Sequence, residues 1–552
     1  VSAHVDPFAR DHLPPRGEWP EFVFDRPEYR HPERLNAAVE LLDRAVQRGW
    51  GKRIALRTLV NGRQITCTYE QLTVQVNRIA RVLVEDLKLV PGNRVLLRGP
   101  NHPLLAACWL AVVKAGLVAV GTMPLLRARE LKPVIDKARI SAALCDVRLK
   151  DELSHNLDPA SEFFAPTLRQ VLFFNDRRPG SLDTRAAAKP VDFVGCDTHR
   201  DDVALIAFTS GTTGIPKGTM HFHRDVLIMS DAFPRHVLKP VADDIFCGTP
   251  PLAFTFGLGG LLTMPLRAGA SVVLMEKLMP DTLLTTIAQT KATVVFTAPT
   301  MYRQCALLLK EPANGFSVPS LKKCVSAGEA LPDATRQLWK ETTGIEMIDG
   351  IGATEMIHIF IAADGADVKR GAIGKVVPGY VARVVDDNMN PVPAGTLGKL
   401  AVKGPTGCRY LADPRQTDYV RQGWNLPGDT FSMDADGYFT YHARSDDMII
   451  SAGYNIAGPE VESALLLHPA VHECGVVGAD DPERGQIVKA YVVPKPGVEG
   501  DADLARVLQE FVKSQIAPYK YPRAVAFIDA LPRTETGKLQ RYKLRQRDAK
   551  DG

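Results

Sequence analysis

Residues Thr209-Ser210-Gly211-Thr212-Thr213-Gly214-Ile215-Pro216-Lys217-Gly218 place three glycines and five hydroxyl or cationic side chains in ten positions, which leaves nothing to bury. The glycines would let backbone amides approach a polyphosphate, while the hydroxyls and Lys217 would supply donors and charge. The apolar run 203–208 just before it reads as a buried strand. The loop is therefore expected at a strand's carboxyl end, where open α/β sheets bind ligands. A Walker-type P-loop closes on Gly-Lys-Ser/Thr. Here Pro216 precedes the lysine and Gly218 follows it, which excludes that geometry.

The string instead resembles the phosphate loop of the adenylate-forming enzymes, the superfamily of acyl-CoA synthetases, aryl-CoA ligases, luciferases and peptide-synthetase adenylation domains. Further segments between about residues 30 and 545 resemble that family in its expected order. The reaction implied is activation of a carboxylate by ATP, then transfer to a thiol. A carboxylate is a poor electrophile until AMP replaces its oxygen as leaving group. Such a site needs a polyphosphate cradle, a magnesium ligand, a ribose anchor and a cation over the reacting oxygens.

The resemblance assigns these roles residue by residue. In Asp349-Gly350-Ile351-Gly352-Ala353-Thr354-Glu355, the family's second nucleotide segment, Thr354 would contact the α-phosphate and Glu355 would bear on Mg2+, a hard cation suited to oxygen. Asp349 and Gly350 join the ATP contacts, although Ile351 stands where many relatives carry an aromatic residue. Ser326-Ala327-Gly328-Glu329-Ala330 resembles the adenine-lining segment, so Ser326, Gly328 and Glu329 are nucleotide candidates. Asp429 matches the ribose-binding aspartate, its two acceptor oxygens suited to a vicinal diol. In Ala443-Arg444-Ser445-Asp446, Arg444 would contact the ribose and Asp446 would be the interdomain hinge, with Ala443 replacing the family's usual glycine. Near the carboxyl end, Thr536-Gly537-Lys538 matches the loop bearing the adenylation lysine, which would stabilise charge redistributing over the α-phosphate and carboxylate oxygens.

For the acyl group, Pro251-Leu252-Ala253-Phe254-Thr255-Phe256-Gly257 and Glu355-Met356-Ile357-His358 resemble the acyl-lining segments of the benzoate-activating branch. Phe254, Phe256 and His358 would wall a flat aromatic acid, since rings pack on rings with a gain beyond area. The run from His4 to Pro15, with Thr255 placed to meet an ortho substituent, most resembles 2-aminobenzoate-CoA ligases. Benzoate or another substituted benzoate is the alternative acid. Ser451-Ala452-Gly453-Tyr454-Asn455 resembles the loop lining the pantetheine tunnel; Gly453 would let a thin chain pass, and Lys520 could meet CoA phosphates. No phosphopantetheine carrier motif follows residue 545, so free CoA is the expected acceptor. Two other readings stand beside this one: a freestanding aryl adenylation enzyme loading a separate carrier protein, and a nucleotide sensor without chemistry. A sensor would need neither Glu355 nor Lys538.

Positioning these residues requires βαβ units. Strand-like runs at 95–97, 118–123 and 142–145 alternate with helical patterns at 103–115 and 130–138. The polar stretch 180–190 reads as a connector. A second series runs from residue 203 through 245–247, 271–275, 293–296 and 323–326 to 346–348, and residues 374–441 read as a β-rich subdomain. Beyond Arg444 a small α+β pattern predicts helices at 459–467 and 503–516 and strands at 474–477 and 490–493. The expected fold is thus α/β: a large amino-terminal domain, residues 1–445, of two βαβ-type subdomains and a β-rich one, with a small mobile α+β domain, residues 446–552.

A chain of 552 residues with 45% apolar and 24% charged residues has the composition of a globular protein of two or three domains. Net charge is only +4 and the signs are interleaved, so neither nucleic acid nor a membrane is an expected partner. The partners called for are an aromatic carboxylate, ATP and CoA, with the protein a monomer or homodimer. Nine cysteines are scattered with no Cys-x-x-Cys pair, and no basic segment leads into an apolar core near residue 1. A reducing cytoplasm is the expected compartment. The apolar stretch 104–126 is broken by Lys114, Gly116 and Pro124 and reads as a buried helix, a turn and a strand.

Overall fold

The computed structural model describes residues 1–209, 216–445, 447–451, 454–481, 484–516, 518–534 and 538–551, with residues 455 and 548–551 described by backbone alone. Its elements form four sheets.

The first sheet has the order Gln170–Phe174, Ala142–Asp146, Arg94–Arg98, Val118–Thr122, Val203–Thr209 and Lys217–Phe222. The first five strands run parallel, and the last pairs antiparallel with Val203–Thr209. Arg94–Arg98 and Ala142–Asp146 are buried throughout, as strands covered on both faces must be. The helix Pro103–Lys114 crosses between Arg94–Arg98 and Val118–Thr122, Pro103 fitting its first turn, where no amide donor is needed. It is buried nearly all round, so the stretch 104–126 is core and not a span. Among the described residues no helix is long and apolar enough to cross a membrane.

The second sheet places Lys323–Ser326 between Val294–Thr297 and Ile348–Gly352, all parallel. Ile245–Gly248, Ser271–Val273 and Ile54–Val60 extend it in parallel, and Arg63–Thr68 closes one edge as a hairpin. At the other end Ile359–Ala362 turns back antiparallel. The third sheet is built around Gly398–Lys403, Asp429–Met433 and Phe439–Arg444. The fourth joins Tyr454–Ala457, Met448–Ser451, Gly485–Pro494 and Val471–Asp481, with Ala524–Phe527 added to Gly485–Pro494. It packs on the helices Gly458–Leu465 and Ala502–Gln515 over an apolar core drawn from its own residues, among them Ile449, Val461, Val476, Ala490 and Leu508.

Three expectations change. Residues 203–209 belong to the first sheet, because they pair with Val118–Thr122 and form a hairpin with Lys217–Phe222. An apolar run carries no mark of which sheet will take it. The connector 180–190 contains the helix Leu182–Ala187, capped by the Ser181 hydroxyl on the amide of Thr184. The strand expected at 346–348 lies instead at Ile348–Gly352, since Gly350 and Gly352 serve close packing there rather than a loop. A Cβ on Gly350 would come within 2.8 Å of the Ile359 side chain, and one on Gly352 within 2.7 Å of the His358 backbone.

Candidate active site

The nucleotide candidates gather where the parallel strands of both sheets end. Val203–Thr209 delivers Thr209, whose buried Oγ1 has no hydrogen-bond partner among the described residues. Ser210, Gly211, Thr212, Thr213 and Gly214 lie outside the described residues. Lys217 opens the returning strand, and its Nζ stands 3.9 Å from Glu355 Oε1 and 5.0 Å from the centre of the Tyr410 ring.

Thr354 and Glu355 follow Ile348–Gly352. The His221 Nε2–H donates to the Thr354 carbonyl at 2.7 Å, and the Tyr410 hydroxyl donates to Glu355 Oε1 at 2.5 Å. Glu355 is only 7% exposed. Two residues on, Ile357 adopts a φ of 69° while fully buried. A β-branched residue in the left-handed region is strained. That backbone twist lies between the carboxylate of Glu355 and the ring of His358.

Ser326 and Asp349 sit side by side in register on adjacent strands. The Ser326 hydroxyl is buried with no partner among the described residues, and burial pushes the Asp349 carboxyl up to about 7, opposed by Arg336 and the Gly350 amide. Gly328, at a φ of +90°, faces the small domain: a Cβ there would lie 3.6 Å from Lys538 Cε. Next to it, Glu329 accepts from the Thr300 hydroxyl at 2.8 Å and pairs with Arg533 at 3.3 Å. Burial raises its carboxyl above the ordinary range, and Arg533 opposes the rise.

Asp429 and Arg444 face each other across one antiparallel pair, Arg444 Nη1 lying 3.3 Å from Asp429 Oδ1 and donating to the Pro427 carbonyl at 3.0 Å. Lys538 keeps an exposed side chain, yet crowding protein atoms lower its ammonium below the ordinary lysine range. The carboxylates of Glu329, Asp429 and Glu355 oppose that shift and Arg444 reinforces it. Glu329 thus acts on this ammonium from more than two hundred positions away in the sequence.

Farther in, Phe256 and His358 meet with ring centres 5.7 Å apart, and Phe233 and Phe296 close on the same imidazole at 6.0 and 6.5 Å. Gly259 makes room for it, since a Cβ there would approach His358 Cδ2 to 2.5 Å. The His358 Nε2–H donates to the Phe256 carbonyl at 3.4 Å, while Nδ1 is buried without a partner among the described residues. Burial lowers this imidazole to about 3, so the ring is neutral at physiological pH. Thr255 is buried at the start of the short helix Thr255–Leu258, and half-buried Phe254 caps it without joining the contacting rings.

Asp446 and Gly453 lie outside the described residues. Lys520 is held by Glu460 at 2.6 and 2.8 Å. The nine cysteines are all unbridged. Reading the sequence missed His221, Tyr410, Phe233, Phe296, Thr300 and Arg533. Only His221 carried a usable signal, since Lys217, Thr219 and His221 alternate onto one face of a strand.

No group of three or more His, Cys, Asp or Glu among the described residues could hold a metal by itself. One buried carboxylate beside Lys217 still suits Mg2+, which is commonly held by one or two carboxylates together with substrate phosphates. Glu355 fits that role.

Residues 42–410 match the model of the AMP-binding enzyme family, and residues 460–538 match the AMP-binding enzyme C-terminal domain. Benzoate–CoA ligase of Thauera aromatica is 34% identical over 526 residues, covering 94% of this chain and 97% of that protein. The mitochondrial acyl-coenzyme A synthetase ACSM5 of Rattus norvegicus is 35% identical over 504 residues, covering 88% and 85%. Among solved structures, the anthranilate CoA ligase AuaEII in complex with anthranoyl-AMP superposes with a TM-score of 0.88 at 31% identity, over 95% of this chain and 99% of that one. A benzoate CoA ligase from Burkholderia xenovorans LB400 gives 0.81 at 29%, over 92% and 99%. With both domains matched and a relative 34% identical over nearly its whole length, the chain belongs to the AMP-binding enzyme family and is an adenylate-forming, AMP-forming acid–CoA ligase.

Proposed function

We propose that this protein is an aryl-CoA ligase acting on benzoate-type acids, with 2-aminobenzoate its preferred substrate. Adenylate-forming CoA ligases use ATP, Mg2+ and CoA. The observation that carries the reading is the ring of Phe233, Phe256 and Phe296 around a neutral His358 with a free Nδ1 lone pair among the described residues. With Nε2–H committed to the Phe256 carbonyl, Nδ1 is an acceptor, which suits an N–H on the ortho position of an aromatic acid. The resemblance to anthranilate and benzoate CoA ligases supports the class.

In the first half-reaction a carboxylate oxygen attacks the α-phosphorus of ATP and pyrophosphate leaves. The loop from Thr209 to Lys217 would cradle the phosphates, Thr354 would meet the α-phosphate, and Asp429 with Arg444 would hold the ribose. Glu355 would hold Mg2+, which when bound neutralises phosphate charge. Lys538 would stabilise charge on the reacting oxygens. In the second half-reaction the CoA sulfur attacks the acyl carbon, the thiol proton is lost to solvent and AMP leaves. Rotation of the small domain about Asp446 would withdraw Lys538 and bring the loop around Gly453 to the site.

Pyrophosphate release measured across benzoates, cinnamates and fatty acids, with and without CoA, tests this. The expected result is fastest turnover of 2-aminobenzoate, with thioester formed only when CoA is present. Octanoate turnover equal to that of 2-aminobenzoate would overturn the aryl assignment, because ordering a flexible chain costs entropy that packing a flat ring on rings does not. Faster turnover of benzoate would remove the ortho-amino preference alone.

A further inference from the structure

Tyr410 stands at the centre of contacts that the nucleotide motifs do not include. It is 1% exposed and held against the strand that follows the phosphate loop: Tyr410 bridges Thr219, the amide of Met220 donates to the Arg409 carbonyl at 2.8 Å, and the amide of Leu411 donates to the Gly218 carbonyl at 2.8 Å. The Tyr410 amide donates to Gln416 Oε1 at 2.9 Å. Its neighbour Arg409, fully buried, is ion-paired with Asp225. Asp225 in turn faces His221, the residue that holds the Thr354 carbonyl. From this anchored position the Tyr410 hydroxyl reaches Glu355 Oε1, and the face of its ring receives Lys217.

We propose that Tyr410 is a positioning residue for Glu355, binding Oε1 so that Oε2 is presented to a divalent cation carried by the ATP phosphates. The proposal rests on the reading of Glu355 as the metal ligand. Glu355 has three rotatable side-chain bonds, and Lys217 is close enough to draw its carboxylate aside. A single hydrogen bond from a rigid phenol fixes one oxygen and leaves Oε2 without a hydrogen-bond partner among the described residues. The same ring restrains Lys217 by a cation–π contact, keeping its charge beside the phosphate loop without full neutralisation by Glu355. Groups that hold a metal ligand in place typically carry about 10- to 100-fold in metal affinity.

The test is Mn2+ binding to the protein–ATP complex, followed by electron paramagnetic resonance without acid or CoA. Tyr410→Phe keeps the ring under Lys217 and removes only the hydroxyl. Its Mn2+ affinity is expected to fall about 10- to 100-fold, with metal-free ATP binding and thermal unfolding unchanged. In a Glu355→Gln background the Phe substitution should cost nothing more, since a residue acting through Glu355 has nothing left to position. Wild-type Mn2+ affinity in Tyr410→Phe, with Glu355→Gln impaired, overturns the proposal and leaves the metal reading standing. Wild-type affinity in Glu355→Gln overturns the metal reading and the proposal with it. Should Tyr410→Phe not fold, Tyr410→His keeps a ring too short to reach Glu355 and takes its place. Mn2+ binding weakened in that variant but not further weakened in the Glu355→Gln background supports the clamp, and undiminished binding overturns it.

Discussion

Replacing Lys538 by alanine should separate the two half-reactions. The side chain stands against the segment around Gly328, its Cε 3.6 Å from the position of a Cβ there, and the ammonium feels Glu329, Arg444, Asp429 and Glu355. A unit charge about 4 Å from oxygens on which charge develops contributes about 4 kcal/mol at an effective dielectric constant of about 20. Because the side chain remains exposed to solvent, screening brings this to about 3 kcal/mol, or about two powers of ten in rate. Loss of one oxyanion-stabilising donor has a cost of the same order. Pyrophosphate release reports the first step; supplied aryl-AMP with CoA reports the second, which should largely survive. The pH dependence follows from the sign of the shift. Crowding protein atoms lower the ammonium below the ordinary lysine range, so adenylation should lose rate as pH rises through that lowered value and the ammonium deprotonates. Lys538→Arg, whose charge persists, should move that alkaline limb to higher pH. Equal loss of both half-reactions in the alanine variant, or an unmoved limb in the arginine variant, would refute the assignment.

Asp349→Asn should stabilise the protein in a pH-dependent way. The native carboxyl, raised to about 7, keeps its proton where the unfolded chain has lost it, so wild-type stability falls as pH rises from about 4 to about 7. The neutral variant should melt near the wild type at pH 4 and above it at pH 8, by at most about 4 kcal/mol; a gap that does not grow with pH refutes this. His358→Ala should raise KM for the aryl acid about tenfold through loss of ring contacts and leave KM for ATP unchanged, and an equal rise in both would place the residue outside the acyl pocket. Asp446→Pro, which fixes φ and removes an amide donor, should slow thioester formation more than adenylation in single-turnover kinetics. Both steps running at wild-type rate would put the pivot elsewhere.

The phosphate loop, Asp349 to Glu355, Asp429, Arg444 and Lys538 could be put forward from the sequence because each stands in a short string that resembles a segment of one family. The strands at 95–97 and 142–145 were legible because burial on both faces demands an unbroken apolar run, and the charged residues Arg94, Arg98 and Asp146 that extend them were not. The supports of the site were not. Tyr410 lies 55 positions from Glu355, and nothing in Gly404-Pro405-Thr406-Gly407-Cys408-Arg409-Tyr410 announces which carboxylate its hydroxyl will meet. Phe233 and Phe296 looked like any core phenylalanine until they closed around His358. Ile357 gave no sign of its left-handed backbone, since nothing in a β-branched residue favours that region.

The sequence by itself therefore determined the family and the class of reaction, and it offered local candidates for a phosphate loop, a metal-binding acid, a ribose acceptor and a cation. Only the tertiary structure decided that Glu329, Asp429 and Glu355 act on the Lys538 ammonium, that the strand 203–209 joins the first sheet, and that His358 turns a lone pair toward no protein partner among the described residues. Local strings record the bonds a residue can make. Which partner it meets across hundreds of positions depends on strand order and packing, and those are set by the burial of the whole chain.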